Sequence, residues 1–360
     1  MSVDSDMREM FAERLIEDTT RALELVCVHL GLTLGLYQAV DDLGSPTAAE
    51  VAKAVAVASR YAREWLEQQA TAGTLDCDDP SVPADERRYR LPDAHAEVLL
   101  HHDSLYHTGP AATMFAGVTR VIPQLVSAYR DGGGVPYAAY GGEIRHGIAA
   151  LNRPMFQHYL ADWLAAVPDL DARLRSAPPA RVLDLGCGRG HSGIALARAY
   201  PTITVYGVDL DTASIEEARE EAAAAGVEDR VTFAAGDAAA SDGNQPYDLV
   251  TMFETLYDMG NPVGALRRAR SELAEGGVVF IADDRVADDF TPRGDLVERF
   301  QFGWSVLHCL PATMAEDPIE ANGTMLRAPT LERWASEAGF SRVDHPQIDN
   351  DFWRFYVLRP

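Results

Sequence analysis

The stretch Arg181-Val182-Leu183-Asp184-Leu185-Gly186-Cys187-Gly188-Arg189-Gly190 decides the fold. A short apolar run, a glycine loop and then a helical pattern read as a buried strand turning into a helix, with glycine letting the backbone approach a ligand closely. The loop is spaced G-x-G-x-G, an acid, Asp184, stands at the strand end, and position 191 is His191. A dinucleotide loop would read G-x-G-x-x-G. Its pyrophosphate would be repelled by the Asp184 carboxylate, whereas a cationic ligand would be attracted.

Outward from this loop, apolar runs at 181–185, 204–208, 231–234, 248–253 and 278–282 alternate with helical patterns. Alternation of this kind predicts a Rossmann-like, doubly wound parallel sheet that takes ligands at the carboxyl ends of its strands. The last two runs, 341–344 and 352–358, are joined by too few residues for a parallel crossover, so they must pair antiparallel. The expected class is therefore α/β with an antiparallel last strand, preceded by a mainly helical N-terminal domain.

The second strand ends in Val208-Asp209, where a carboxylate can accept hydrogen bonds from both hydroxyls of a ribose. The third ends in Gly236-Asp237, placed to accept from an adenine amino group. Any one of Asp184, Asp209 and Asp237 could simply cap the helix that follows it. All three, at consecutive strand ends beside a glycine loop, point to S-adenosylmethionine, a nucleoside carrying a sulfonium and an ammonium.

In the N-terminal part the apolar residues recur at helical spacing over 8–40, 47–55 and 59–71. Ser45 or Thr47 is the expected cap of the second helix, with Pro46 in its first turn. A two-stranded ribbon is expected from Thr74-Leu75-Asp76 and Arg88-Tyr89-Arg90-Leu91. Helix, helix, ribbon is a winged-helix pattern. Residues 101–174 look helical again, interrupted at Gly132-Gly133-Gly134 and Gly141-Gly142, and Pro178-Pro179 marks a boundary. The expected division is a winged-helix-like domain over 1–100, a helical linker and substrate-cap region over 101–177, and a catalytic domain over 178–360 with a cap insertion at 286–329.

The 360 residues suffice for two cores, with 47% hydrophobic and 24% charged residues. No stretch approaches the roughly eighteen apolar residues of a membrane span. The start, MSVDSDMREMFAERL, has no basic segment leading into an apolar run. A cytoplasmic protein with no membrane partner is expected. A net charge of −24 disfavours nucleic acid as a partner. Cys27, Cys77, Cys187 and Cys309 are scattered, which argues against a zinc cluster or a disulfide framework. The histidines His101, His102 and His107 lack the i, i+4 spacing of metal helices. Lys53 is the only lysine and lies in an apparent surface helix, so Schiff-base chemistry is disfavoured.

From Val182 onward the chain resembles class I S-adenosylmethionine-dependent methyltransferases. As a whole it resembles bacterial small-molecule members that carry an N-terminal winged-helix-like dimerisation domain. The resemblance implies that the loop residues Gly186, Cys187, Gly188 and Gly190 hold the methionine part and that Asp209, with Leu210, holds the ribose. By the same token Gly236, Asp237 and Ala238 lie by the adenine, and Phe253 and Glu254 border the cofactor at the fourth strand. The segments VPYAAYGG (135–142) and NRPMF (152–156) match family features at the active site, which marks Tyr140 and Phe156 as substrate-facing. A homodimer through the N-terminal domain is implied as well.

One departure matters. O-methyltransferases of this kind follow the fourth strand with Leu-His-Asp, whose His takes the acceptor's proton. This chain reads Phe253-Glu254-Thr255-Leu256-Tyr257-Asp258-Met259, with Tyr257 in the place of that His. A neutral tyrosine orients an acceptor better than it deprotonates one. Metal-dependent relatives use the same His-Asp pair, so no metal is expected. His308, in Phe302-Gly303-Trp304-Ser305-Val306-Leu307-His308-Cys309-Leu310, is the remaining candidate base, in a segment matching the family's substrate cap; otherwise it is a packed helix residue. Glu254 and Asp283-Asp284 come next, with solvated strand-end acids as the plain alternative. Tyr257, Asp258, Asp283, Phe302, Trp304 and His308 are thus expected around a small-molecule acceptor. The acceptor atom stays open, with natural-product chemistry as the setting. Two competing readings are a DNA-binding regulator, whose recognition helix at 59–69 would carry Arg60 and Arg63 against Glu64 and Glu67, and an NAD-dependent oxidoreductase on a similar sheet.

Overall fold

The computed structural model describes residues 3–240 and 246–360. The chain folds as two compact units, Met1–Thr119 with His146–Pro154, and Arg120–Arg145 with Met155–Pro360.

The first unit opens with α1 (Val3–Thr33) and α2 (Leu36–Leu43). The expected continuous helix over 8–40 is broken at Gly35, whose φ of 68° is left-handed. Helix α3 (Ala48–Ala54) is capped by Thr47 alone: its hydroxyl accepts from the Glu50 amide, and the Glu50 carboxylate accepts from the Thr47 amide at 2.7 Å. Pro46 therefore precedes the cap instead of entering the first turn. Helix α4 (Ser59–Thr71) and the ribbon of β1 (Asp76–Cys77) and β2 (Tyr89–Arg90) follow, paired antiparallel as predicted. With α5 (Asp93–Leu100) they bury Leu36, Tyr37, Val40, Val51, Trp65, Leu66 and Tyr89. On α4, Arg60 pairs with Glu64, and Arg63 lies 3.7 Å from Asp85. The arginines a DNA reader would turn outward are already opposed by acids.

Residues 101–109 are irregular, where a helix is predicted from 101 onward. Helix α6 spans Pro110–Arg120, and α7 (Ile122–Asp131) ends at Gly132, a left-handed cap at φ 79°. Helix α8 (Gly142–Ala165) carries Pro154 in its interior, and α9 is Pro168–Leu174.

The second unit is built on seven strands: β3 (Arg181–Leu185), β4 (Thr204–Asp209), β5 (Val231–Ala235), β6 (Tyr247–Phe253), β7 (Leu273–Asp284), β8 (Arg342–Asp344) and β9 (Trp353–Arg359). Their order is β5-β4-β3-β6-β7-β9-β8, parallel from β5 to β7, with β9 antiparallel to both β7 and β8. The topology is the predicted one. Strand β7 begins earlier than the apolar run suggests, passing through Gly276 at φ 78°. Helices α10 (His191–Ala199), α11 (Thr212–Ala224), α12 (Pro262–Ser271), α13 (Leu296–Trp304), α14 (Leu310–Met314) and α15 (Ala328–Glu337) complete the unit. Inner strands are buried on both faces. One face packs on α8 to α11 through residues such as Trp163, Leu196 and Ile215, the other on α12 and α15 through Leu266, Leu331 and Trp334. This two-sided burial is why the strands read as unbroken apolar runs.

Candidate active site

The carboxyl end of β3 leads into a loop whose glycines adopt backbone angles that other residues resist. Gly186 has φ 74°, and a side chain there would collide with the Thr255 hydroxyl. Gly188 has φ 49° with no atom within 4 Å of where a Cβ would stand, so the loop faces open space at that point. The loop is tied to β4: the amides of Gly186 and Cys187 donate to the Val208 carbonyl at 2.8 and 3.2 Å, and the Gly188 amide donates to Asp209 Oδ2 at 2.8 Å.

Asp184 is placed differently from the expectation of direct contact with a cationic ligand. It is buried, and its carboxylate accepts from the Ser192 hydroxyl at 2.6 Å and the Thr251 hydroxyl at 2.7 Å. Burial, opposed by these two hydrogen bonds, pushes its carboxyl up to about 6. Asp184 locks the loop to α10 and β6. Cys187 is corrected likewise: its thiol lies in the core, held above its ordinary pKa by burial, and only its backbone faces the loop. Asp209, at the end of β4, also accepts from the Asp211 amide at 2.9 Å, and burial raises its carboxyl. A carboxylate has about four lone-pair positions, so capacity for two further donors remains. Leu210 beside it is 59% exposed. The Gly236 amide donates to the Asp209 backbone carbonyl, and the exposed Asp237 accepts from the Ala239 amide at 2.8 Å. Ala238 is half-buried against the core. Glycine loop, Asp209, Leu210 and Asp237 thus lie along one edge, with the chemistry a nucleoside needs.

A second group gathers at the ends of β6 and β7. Glu254 leaves β6 with φ 50°, a left-handed conformation costly for a residue with a Cβ, and accepts from Trp353 Nε1 at 2.6 Å. Tyr257 is buried, and burial holds its phenol well above the usual range. Burial pushes Asp258 up to about 8 and raises Asp283 and Asp284 well above the carboxylate range. Asp284 also accepts from the Gln301 amide of α13.

His308 stands over this group. It lies in the π-helical turn Ser305–Cys309, and the cause can be read in Pro311. An α-helix would have Pro311 donate to the Leu307 carbonyl and a π-turn to the Val306 carbonyl, but proline has no N–H. Two tyrosines supply the missing donors: the Tyr129 hydroxyl donates to Val306 O and the Tyr140 hydroxyl to Leu307 O, both at 3.0 Å. The His308 ring packs against Tyr140 at 4.7 Å and Tyr137 at 5.6 Å between centroids. Its Nδ1 lies 3.5 Å from Cys309 Sγ, Nε2 has no partner, and burial pulls its pKa down to about 4. The imidazole is neutral at pH 7.

Several expected contacts fall elsewhere. Tyr140 is fully buried with its hydroxyl engaged, so it positions the His308 turn instead of meeting an acceptor. Phe156 packs against Phe253 at 5.4 Å and against Trp353 at 5.6 Å between ring centroids. They are core residues behind the Trp353–Glu254 hydrogen bond. Phe302 and Trp304, half-buried, pair with Phe290 and Phe300. Tyr137 was not singled out from its sequence segment, yet it stands between the two groups: its ring touches His308, and its phenol feels the charges of Asp209 and Asp211. Thr251 and Gln301 were also missed, because each acts through a partner distant in sequence.

The ligand atoms of Asp258, His308 and Cys309 lie within 4.8 Å of one another, a group able to hold a metal ion among the described residues. Scattered cysteines had argued against such a group, and the fold assembles one from the 3₁₀ turn Leu256–Asp258 after β6 and the π-turn.

Residues 177–321 match the family model described as a methyltransferase domain, and residues 22–101 match that of an Rv2258c-like winged HTH domain. Both segments agree with the resemblance read from the sequence. The trans-aconitate 2-methyltransferase of Streptomyces avermitilis is 34% identical over 119 residues, 33% of this chain and 42% of that protein. The chain spans half or less of the length of the first curated relatives it matches. Among solved structures, the mitomycin 7-O-methyltransferase has a TM-score of 0.71 at 18% identity, covering 99% of this chain and 100% of that one. Human N-acetylserotonin methyltransferase, solved in complex with SAM, has 0.69 at 18% identity, covering 97% of each chain. At such identity these two structures speak for the fold alone.

Proposed function

We propose that the chain transfers the methyl group of S-adenosylmethionine to a small-molecule acceptor. The observation that carries this reading is the edge formed by the open Gly186 to Gly190 loop, Asp209 and Asp237, whose acids suit a cationic nucleoside better than a pyrophosphate. Once bound there, the cofactor supplies a methyl group already activated by its sulfonium.

The remaining work falls to the chain's own residues. The loop backbone and Asp209 fix the donor, and the field of the buried Asp184 favours its positive charge. Tyr137 closes the space between Asp209 and His308 and excludes water. His308, neutral and with an unpartnered ring nitrogen, accepts the acceptor's proton as the bond to carbon forms. Tyr257, kept protonated by burial, donates a hydrogen bond and holds the acceptor in line. Cys309, 3.5 Å from His308 Nδ1, and Asp258 act in this reading as the support for the base.

The N-terminal unit is assigned to dimerisation. Helix α1 leaves Met7, Phe11, Ile16, Leu23, Val26 and Leu30 between 43% and 70% exposed, an apolar stripe suited to a second copy. Among the described residues no single helix is long and apolar enough to cross a membrane; only α1 and α2 together, bent by 68°, have the length and composition. A cytoplasmic enzyme fits that stripe when a partner copy covers it.

Thermal denaturation with S-adenosylhomocysteine and with NAD tests the reading. Stabilisation by the first alone, lost on Asp209→Ala, is expected; stabilisation by NAD alone would replace it with the oxidoreductase reading.

A further inference from the structure

Four buried carboxylate oxygens at the ends of β6 and β7 accept no hydrogen bond: Asp258 Oδ1, both oxygens of Asp283, and Asp284 Oδ2. Asp283 and Asp284 are 1% and 2% exposed. Unpartnered acceptors at such depth are rare in folded proteins and mark a place where something else supplies the donors. The three acids also feel one another's charges and that of Glu254, which compounds the effect of burial. Among the described residues no arginine or lysine forms an ion pair with them. Arg354, on the strand facing Asp283, pairs with Asp288, and Arg327 pairs with Glu298.

A different kind of group points the same way. His308 Nε2 is buried and unpartnered, and one ring nitrogen of His308 lies within 4.8 Å of an Asp258 oxygen. Burial keeps that imidazole neutral, so it brings no positive charge. Aromatic rings complete the surroundings: Tyr137 and Tyr140 against His308, and Tyr257 close to Asp284 and Asp258. Carboxylates backed by aromatic rings form a receptor for an organic cation, which gains from both.

The methyl donor does not reach this group. Its proposed contacts lie on β3, β4 and β5 and reach β6 only at Phe253 and Glu254, whereas β7 is two strands beyond β3 on the other side. With strands about 4.8 Å apart, Asp283 and Asp284 stand roughly 10 Å past the loop. That is the acceptor's side.

We infer that Asp258, Asp283 and Asp284 receive a cationic nitrogen of the acceptor, so that the enzyme methylates small molecules bearing a basic amine or amidine. The inference rests on the methyltransferase reading for the word acceptor. A single metal ion on Asp258, His308 and Cys309 would leave Asp283 and Asp284 unanswered, which is why an organic cation is the better occupant.

The test uses the full chain saturated with S-adenosylhomocysteine and matched probes: benzylamine against benzyl alcohol, and benzamidine against benzamide, by calorimetry and thermal shift. The charged member of each pair is expected to bind at least tenfold more tightly. That preference should vanish in Asp283→Asn/Asp284→Asn, while S-adenosylhomocysteine still binds. Equal affinity for charged and neutral probes in the unaltered protein overturns the inference without recourse to any variant. Stoichiometric zinc uptake that depends on Asp258 and Cys309, with no response to the amines, overturns it in favour of a metal centre. If amines bind with the stated preference but S-adenosylhomocysteine does not, the cation site stands and the methyltransferase reading fails.

Discussion

The Tyr140 hydroxyl donates to the Leu307 carbonyl at 3.0 Å, immediately before His308, and its ring packs against the imidazole. One residue thus both satisfies a carbonyl stranded by Pro311 and fixes the histidine's direction. Tyr140→Phe keeps the ring and strands the carbonyl again, at a cost of about 1–3 kcal/mol. The expected outcome is a lower melting temperature together with reduced methyl transfer. Tyr129→Phe removes the same kind of bond from a tyrosine that is 62% exposed, where water substitutes, and should change the melting temperature little. Equal losses in the two variants would contradict this account.

His308→Ala is expected to lower the rate of methyl transfer by roughly a hundredfold, the typical effect of losing a general base. Because burial brings the imidazole down to about 4, the unaltered enzyme should keep its activity through pH 6.5, where an ordinary histidine would protonate and stop working. A rate that halves near pH 6.5 in parallel with histidine protonation would assign the role elsewhere.

Asp184 carries a pH signature in the ligand-free protein. Burial raises its carboxyl from 3.8 to about 6 despite the bonds from Ser192 and Thr251. The fold therefore favours the protonated acid: its contribution is full below about pH 3.8 and is lost as the pH rises through about 6. The loss corresponds to roughly 3 kcal/mol. Unfolding free energies measured between pH 4 and 7 should fall across this window, and Asp184→Asn should flatten the curve. An unaltered slope in the variant would place the titration in another group.

Ile16 and Leu23 are seven residues apart on α1 and 70% and 64% exposed. Seven residues bring a helix back to the same face. Ile16→Arg/Leu23→Arg should convert a dimer to a monomer in sedimentation equilibrium without unfolding the chain, since neither side chain belongs to a core. A dimer mass retained in that variant would exclude α1 as the interface.

The sheet and its donor edge were legible in the sequence because both depend on local order. Two-sided burial writes each parallel strand as an apolar run, and the glycine loop, Asp209 and Asp237 follow their strands directly. The short link between β8 and β9 even forced the antiparallel end of the sheet. The acceptor side was only partly legible. Tyr257 marked a departure, but the π-turn at Ser305–Cys309 and the carbonyls it leaves to side-chain donors were not legible. Tyr129 and Tyr140 arrive from a different helical segment.

What the sequence determined alone is the order of the sheet and the glycine loop with acids at its strand ends, since periodicity and loop spacing act within a few residues along the chain. Tertiary structure decided what each acid does. Asp184, Asp209, Asp258 and Asp283 are the same residue type at similar strand-end positions. One is latched by two hydroxyls, one holds the loop with lone pairs to spare, and two lie buried with unpartnered oxygens. Charge and hydrogen bonding depend on distances in space, and those exist only once the strands have been laid side by side.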